Sequence, residues 1–170
     1  MRRLALVTVL AAFALLSVAP AASARAVKTT KPEKTLLVLV NQVRAKHGLH
    51  KLKVIPSLER AARAHSREMV RRDYFSHSSF NGESFAARLV RFGFTTSGCT
   101  SWTVGENIAY GCGSTGTPKA IFEAWMHSPP HRAVIFTKAF RSVGVGRAKG
   151  TFNGISGIVF FTLDCGVRTR

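Results

Sequence analysis

The stretch VGENIAYG, residues 104–111, sets one acidic side chain, Glu106, in an otherwise apolar, strand-like run. An unpaired carboxylate buried there costs several kcal/mol or takes up a proton, so Glu106 is expected to face a partner. Six histidines are available, at 47, 50, 65, 77, 127 and 131. His47 and His50 flank Gly48 and read as surface residues at a helix end. His65 falls on an apolar helical stripe and reads as a hydrogen-bonded core residue. His127 and His131 have the spacing of a metal pair, but Pro129 and Pro130 between them break the helix that would stack the two rings on one face. His131 is the more informative alone: in SPPHR, Ser128 can cap a new helical turn, leaving His131 near a helix N-terminus, where imidazolium is disfavoured. His77 ends DYFSH, in a loop of aromatic and small polar residues.

The elements that must position these groups are legible as periodicities. Leu36, Leu37, Leu39, Val40 and Val43 recur at helical intervals up to Gly48. Pro56 and Ser57 open a second helix with an inward stripe of Leu58, Ala61, Ala62, His65 and Met69. Its arginines 60, 63, 67, 71 and 72 read as a solvated basic surface. DYFSHSSFNG, residues 73–82, is a loop; ESFAARLVRFGF is a short amphipathic helix stopped by Gly93. WTVGENIAYG reads as extended, and Thr117-Pro118 caps the helix PKAIFEAWMH. FRSVGVGRA and GIVFFTLDCG read as a hairpin turning around residues 149–154. The Gly144/Gly146 pair suits close packing of a strand better than phosphate binding, since no lysine-bearing phosphate loop follows. The pattern predicts an α+β domain, a sheet covered by helices.

Composition narrows the setting. Met1-Arg2-Arg3, the apolar run Leu4 to Leu16 and Ala22-Ser23-Ala24 have the form of a secretory signal, expected to span residues 1–24 and to be removed, with no transmembrane segment after cleavage. Residues 25–33, basic with a proline, are expected to be disordered, and a single domain is expected over 34–168. The 170-residue chain carries 25 Lys and Arg against 8 Asp and Glu, a formal charge of +17. Such a surface attracts anionic polymers and membranes. Specific nucleic-acid recognition is disfavoured by export and by the lack of basic residues interleaved with aromatics. Cys99, Cys112 and Cys165 are an odd set for an oxidising compartment, so one disulfide and one spare thiol are expected: either Cys99 to Cys112 or one of them to Cys165. No C-x-x-C is present, which argues against a zinc ribbon or a thioredoxin-like site.

DYFSH, GENIAYG, AWMHSPPHRAVIF and VGVGRA, in this order and at these spacings, resemble the motifs of the CAP superfamily, named for cysteine-rich secretory proteins, antigen 5 and plant pathogenesis-related proteins. The resemblance is greatest to the bacterial secreted branch, the SCP domain, and runs from about residue 36 to 165. It implies an α-β-α sandwich with a central antiparallel sheet covered by helices, and a cleft lined by two histidines and two glutamates that holds a divalent cation, often zinc, in some members. By position, His77, Glu106 and His131 match three of the four; the second glutamate falls on Ser128, and Glu123 lies on the wrong helical face to replace it. On this basis Glu106 is expected to face His77 and His131, sharing a cation or accepting hydrogen bonds. Two imidazoles, a carboxylate and water would form an open zinc shell of hydrolytic type. Asn107 is expected to serve a turn, and Arg132 either to pair with Glu106 or an anionic ligand or to lie on the surface. The resemblance implies a secreted binding or effector module with no settled catalytic activity, with lipids, sterols or anionic envelope components as partners. A metal-dependent hydrolase using His77, Glu106 and His131, and a cationic envelope-binding protein, are the alternatives.

Overall fold

The computed structural model describes residues 28–169; the expected signal segment and residues 25–27 lie outside them. In chain order the elements are α1 (Lys31–Lys46), β1 (Lys53–Val54), α2 (Pro56–Arg72), α3 (Phe85–Arg91), β2 (Ser101–Gly111), a 3₁₀ turn (Gly113–Gly116), α4 (Pro118–His127), α5 (Pro129–Phe136), β3 (Ser142–Phe152) and β4 (Ile155–Thr169). The strands form one sheet in the order β1-β3-β4-β2. It is antiparallel except for the two-residue β1, which runs parallel to β3. Helices α2 and α3 cover one face and α1, α4 and α5 the other, giving the expected α-β-α sandwich.

Alternation along the strands decides what each face presents. Val143, Val145, Phe161, Leu163 and Cys165 project into the core shared with Leu36 and Val40 of α1, Ile121 and Trp125 of α4, and Ile135 of α5. Trp125 also donates its indole N–H to the Ile108 carbonyl, 3.2 Å away, anchoring α4 to β2. Their neighbours in β3, Gly144 and Gly146, face α2. A Cβ added there would lie 2.1 Å from the carbonyl carbon of Leu58 or Ala62, so the helix backbone rests directly on the strand. The predicted stripe of α2 is buried in full, and Ser66 makes a 2.9 Å hydrogen bond to Thr162 beneath it. The β3–β4 turn places Asn153 and Gly154 at φ of 47° and 76°, the left-handed pair that a tight hairpin of matching twist requires.

Two expectations are corrected. Of residues 25–33, those from 28 onward are part of the fold. Helix α1 begins at Lys31 behind a capping box in which the Thr30 N–H donates to Glu33 Oε2 at 2.7 Å. Glu33 is buried and accepts from Arg63 Nε at 2.8 Å, which pins the start of α1 to α2. Arg63 is accordingly no surface residue: it is held between Glu33 and Glu59, while Arg67, Arg71 and Arg72 are exposed as expected.

Candidate functional site

Glu106 lies on β2, the edge strand, directly opposite Asp164 of β4, and both side chains face α2 and α3. It is 5% exposed. Its two oxygens are engaged by different partners: His77 Nδ1–H donates to Oε1 at 2.8 Å, and the buried Arg88 guanidinium of α3 pairs with Oε2. Burial pushes the Glu106 carboxyl up, but the His77 hydrogen bond and the Arg88 charge outweigh it, and the group is held below the usual carboxylate range. It is a carboxylate with no oxygen left over.

Arg88 does more than neutralise Glu106. Its second terminal nitrogen donates to the His77 carbonyl at 3.1 Å and to Ser79 Oγ at 3.0 Å. One guanidinium thereby ties the carboxylate to the backbone of the loop that carries the imidazole. The His77 side chain is half exposed, so a ring fixed at one nitrogen is presented to solvent. His65, beneath the loop, donates from Nε2 to the Ser76 carbonyl at 2.8 Å. Burial lowers its pKa and keeps it neutral, a core histidine as expected.

Asp164 is fully buried; neither of its oxygens receives a hydrogen bond from a protein donor, and its carboxyl shares a side-chain hydrogen bond with Glu106 across the rung. Burial, and the negative charge of Glu106 across the rung, raise it well above the ordinary range. Of this carboxyl pair, Glu106 carries the charge and Asp164 the proton. His65 Nδ1 and Arg88 Nε are buried without partners, so the polar interior around Glu106 includes both donors and acceptors not matched within the protein.

His131 approaches from the other helical layer. As expected it sits in the first turn of α5, but the Ser128 hydroxyl turns to the ring, 2.8 Å from Nδ1, instead of capping the backbone. Asn107, pointing away from Glu106 on the same strand, donates to the His131 carbonyl at 2.9 Å; it fixes the helix start and serves no turn. Burial, then the nearby His77 charge, lower the His131 pKa. No hydrogen bond joins His131 to Glu106. Arg132 reaches back to the Met126 carbonyl at 3.4 Å and not to Glu106, whose guanidinium partner comes from α3. His127 bonds the Glu123 carbonyl at 2.7 Å, and Glu123 itself lies outside the site, beside Lys119.

A divalent cation fits this donor set poorly. Binding through Glu106 would displace either His77 or a buried guanidinium, leaving the arginine charge against the metal. Among the described residues no three His, Cys, Asp or Glu side chains converge as a ligand set.

The expected disulfide is also corrected. Cys99 and Cys112 bracket an eleven-residue strand, which holds them about 35 Å apart. Cys165 is buried opposite Gly105, roughly 20 Å along the strand from either. A disulfide needs Cα atoms within about 7 Å, so all three thiols are free within one chain.

Comparison with known proteins agrees with this architecture. The profile of the cysteine-rich secretory protein family, CAP, matches residues 37–165. The Bacillus subtilis protein YkwD is 37% identical over 114 residues, covering 67% of this chain and 41% of that protein. YlbC, described as a membrane protein of the same organism, is 36% identical over 118 residues, 69% of this chain and 32% of its own. The chain thus spans well under half the length of these curated relatives. Among solved structures, an extracellular SCP-domain protein from Bacillus anthracis superposes with a TM-score of 0.65 at 24% identity, covering 82% of this chain and 40% of that one. An outer surface protein of Borrelia burgdorferi superposes with a TM-score of 0.68 at 21% identity, covering 84% of this chain and 97% of its own.

Proposed function

Since the chain belongs to the cysteine-rich secretory protein (CAP) family, we propose that it is an exported envelope-binding module whose cleft at the edge of β2 recognises a ligand through a fixed imidazole, without metal-dependent turnover. The observation that supports this reading is the full engagement of Glu106 by His77 and Arg88. A carboxylate so engaged orients a side chain and holds a loop; as a general base it would first have to break an ion pair buried on both sides. His77, half exposed, and His131, held by Ser128, are the polar groups offered to a ligand. Both lie where the two helical layers meet the strand edge.

The reading is tested by calorimetric titration with Zn²⁺ and by co-sedimentation with isolated cell envelopes, for the wild-type protein and for His77→Ala/His131→Ala. The expected result is no zinc-binding heat in either protein, and weaker co-sedimentation for the variant. Micromolar zinc binding that the double substitution removes would restore the metal cleft and overturn the proposal.

A further inference from the structure

The outer face of α2 and α3 carries a group of arginines beside a protruding phenylalanine, which stands on the loop that also bears His77. Arg67 and Arg71, one turn apart on α2, face Arg91 of α3 across a groove of about 520 Å³ floored by Ala64 and Phe92. Two carboxylates are close by: Glu83 is engaged, and Glu68, which also lines the groove, is engaged through Oε2 alone. Glu83 is clasped by Arg91 at 2.8 and 2.9 Å. Glu68 accepts from the Tyr74 hydroxyl at 2.7 Å and from the Phe80 N–H at 3.3 Å. Among the described residues Arg67 and Arg71 have no ion-pair partner.

Beside the groove stands Phe80, 58% exposed at the tip of the loop between α2 and α3. It is rigidly presented. Ser79 N–H donates to the Glu83 carbonyl and Gly82 N–H to the Ser79 carbonyl, both at 2.8 Å; the Tyr74 ring packs edge-on at 5.7 Å. The Arg72 guanidinium lies over the Phe80 ring, 5.1 Å from its centre. Val90, 41% exposed, adjoins Arg91 on α3. A soluble polyanion would need the arginines but has no use for an exposed phenylalanine. The boundary of a bilayer accommodates both, taking the ring at headgroup depth while guanidinium groups bind phosphates.

We propose that this face is a peripheral contact surface for anionic phospholipid bilayers, with Phe80 as the apolar wedge and Arg67, Arg71 and Arg72 as the headgroup clamps. No helix of the described residues is long and apolar enough to cross a membrane. The overall charge of +17 steers the approach, and the arginine cluster selects the face. The inference extends the envelope-binding reading; its arginines lie on the outer face of α2, and Phe80 stands three residues from His77 on the loop that also borders the cleft.

Co-sedimentation with vesicles of phosphatidylcholine, with and without one third phosphatidylglycerol, tests it, each variant first being checked for an unchanged melting temperature. Binding is expected only to the anionic vesicles. Arg67→Gln/Arg71→Gln should weaken it roughly thirty-fold, at about a factor of five per arginine. Phe80→Ser should weaken it about ten-fold, for the loss of a partly inserted ring. Lys46→Gln/Lys51→Gln removes the same charge from the exposed end of α1 and the segment that follows it, in the opposite layer, and should change binding by less than about three-fold. Zinc titration and envelope co-sedimentation of His77→Ala/His131→Ala read the cleft separately from these vesicle assays, so failure of the cleft reading and failure of this one are told apart. Equal losses from the lysine and arginine pairs, or a neutral Phe80→Ser together with full competition by inorganic polyphosphate, would overturn the proposal in favour of diffuse charge or a soluble polyanion.

Discussion

On the face of the sheet covered by α1, α4 and α5, strands β3 and β4 present Val143, Val145, Phe161 and Leu163; on the face covered by α2 and α3, the same strands present Gly144, Gly146, Thr162 and Asp164. The first face holds its helices through side-chain volume. The second holds α2 through backbone contact and polar pairing, and Glu106, Asp164, His65 and His77 collect there, with His131 coming from the other layer. Cohesion and chemistry are thus separated by the two-residue period of the strands, so one face can vary in polarity while the other maintains the core.

The comparison breaks most sharply at the glycines. Gly146→Ala puts a methyl group 2.1 Å from the Ala62 carbonyl carbon, and α2 must lift or the strand must bend. A loss of more than about 4 kcal/mol, or failure to fold, is expected in urea denaturation. Val145→Ala, one residue away on the apolar face, should cost only about 2–3 kcal/mol. Equal losses would mean that α2 does not rest on the strand as described. Arg88→Met should cost about 3–5 kcal/mol by leaving the Glu106 carboxylate buried against a thioether. Adding Glu106→Gln should recover part of that loss, and no recovery would show that Arg88 acts through the loop alone.

Asp164→Asn sharpens the comparison through pH. Because the folded state holds the Asp164 proton more tightly than the unfolded chain, this residue's contribution to stability falls as pH rises above the ordinary carboxylate range. Glu106 has the opposite sign: its contribution is present above the unfolded pKa and is lost as pH falls through the depressed folded value. Melting temperatures of wild type and Asp164→Asn, measured from about pH 5 to about pH 8, should therefore shift in the variant's favour as pH rises. A constant difference would mean that Asp164 is ionised in the fold. The smallest effect is expected from Cys99→Ser/Cys112→Ser, within about 0.5 kcal/mol of wild type. Mass spectrometry should find no intrachain disulfide, and Cys112 should alkylate in the native protein, while Cys165, buried and with its thiol pushed up, reacts only after unfolding.

Element identity was legible because Leu58, Ala61, Ala62, His65 and Met69, and the alternation in GIVFFTLDCG, are local patterns that burial enforces. The order of β4 between β3 and β2 was not, since pairing over such separations leaves no local trace. At the site, Glu106 announced itself as a carboxylate in an apolar run, and Asp164, in FFTLDCG, carried the same signal unread. Arg88 was hidden by its helix: three residues after Phe85 and beside Leu89, it lies on the inward stripe, where an arginine marks a buried ion pair. Arg63 gave the same warning in α2. The disulfide expectation took nearness in sequence for nearness in space, which an extended strand inverts.

Strand β4 lies at the centre of the sheet although it is the last element in chain order. While the chain is being synthesised or threaded through a pore, β2 and β3 have no shared partner until residues 155–169 emerge. Closing the sheet therefore waits until residues 155–169 have been made. Until then the chain lacks the packed core that would resist passage through a narrow channel, and it exposes two long unpaired strands to other molecules.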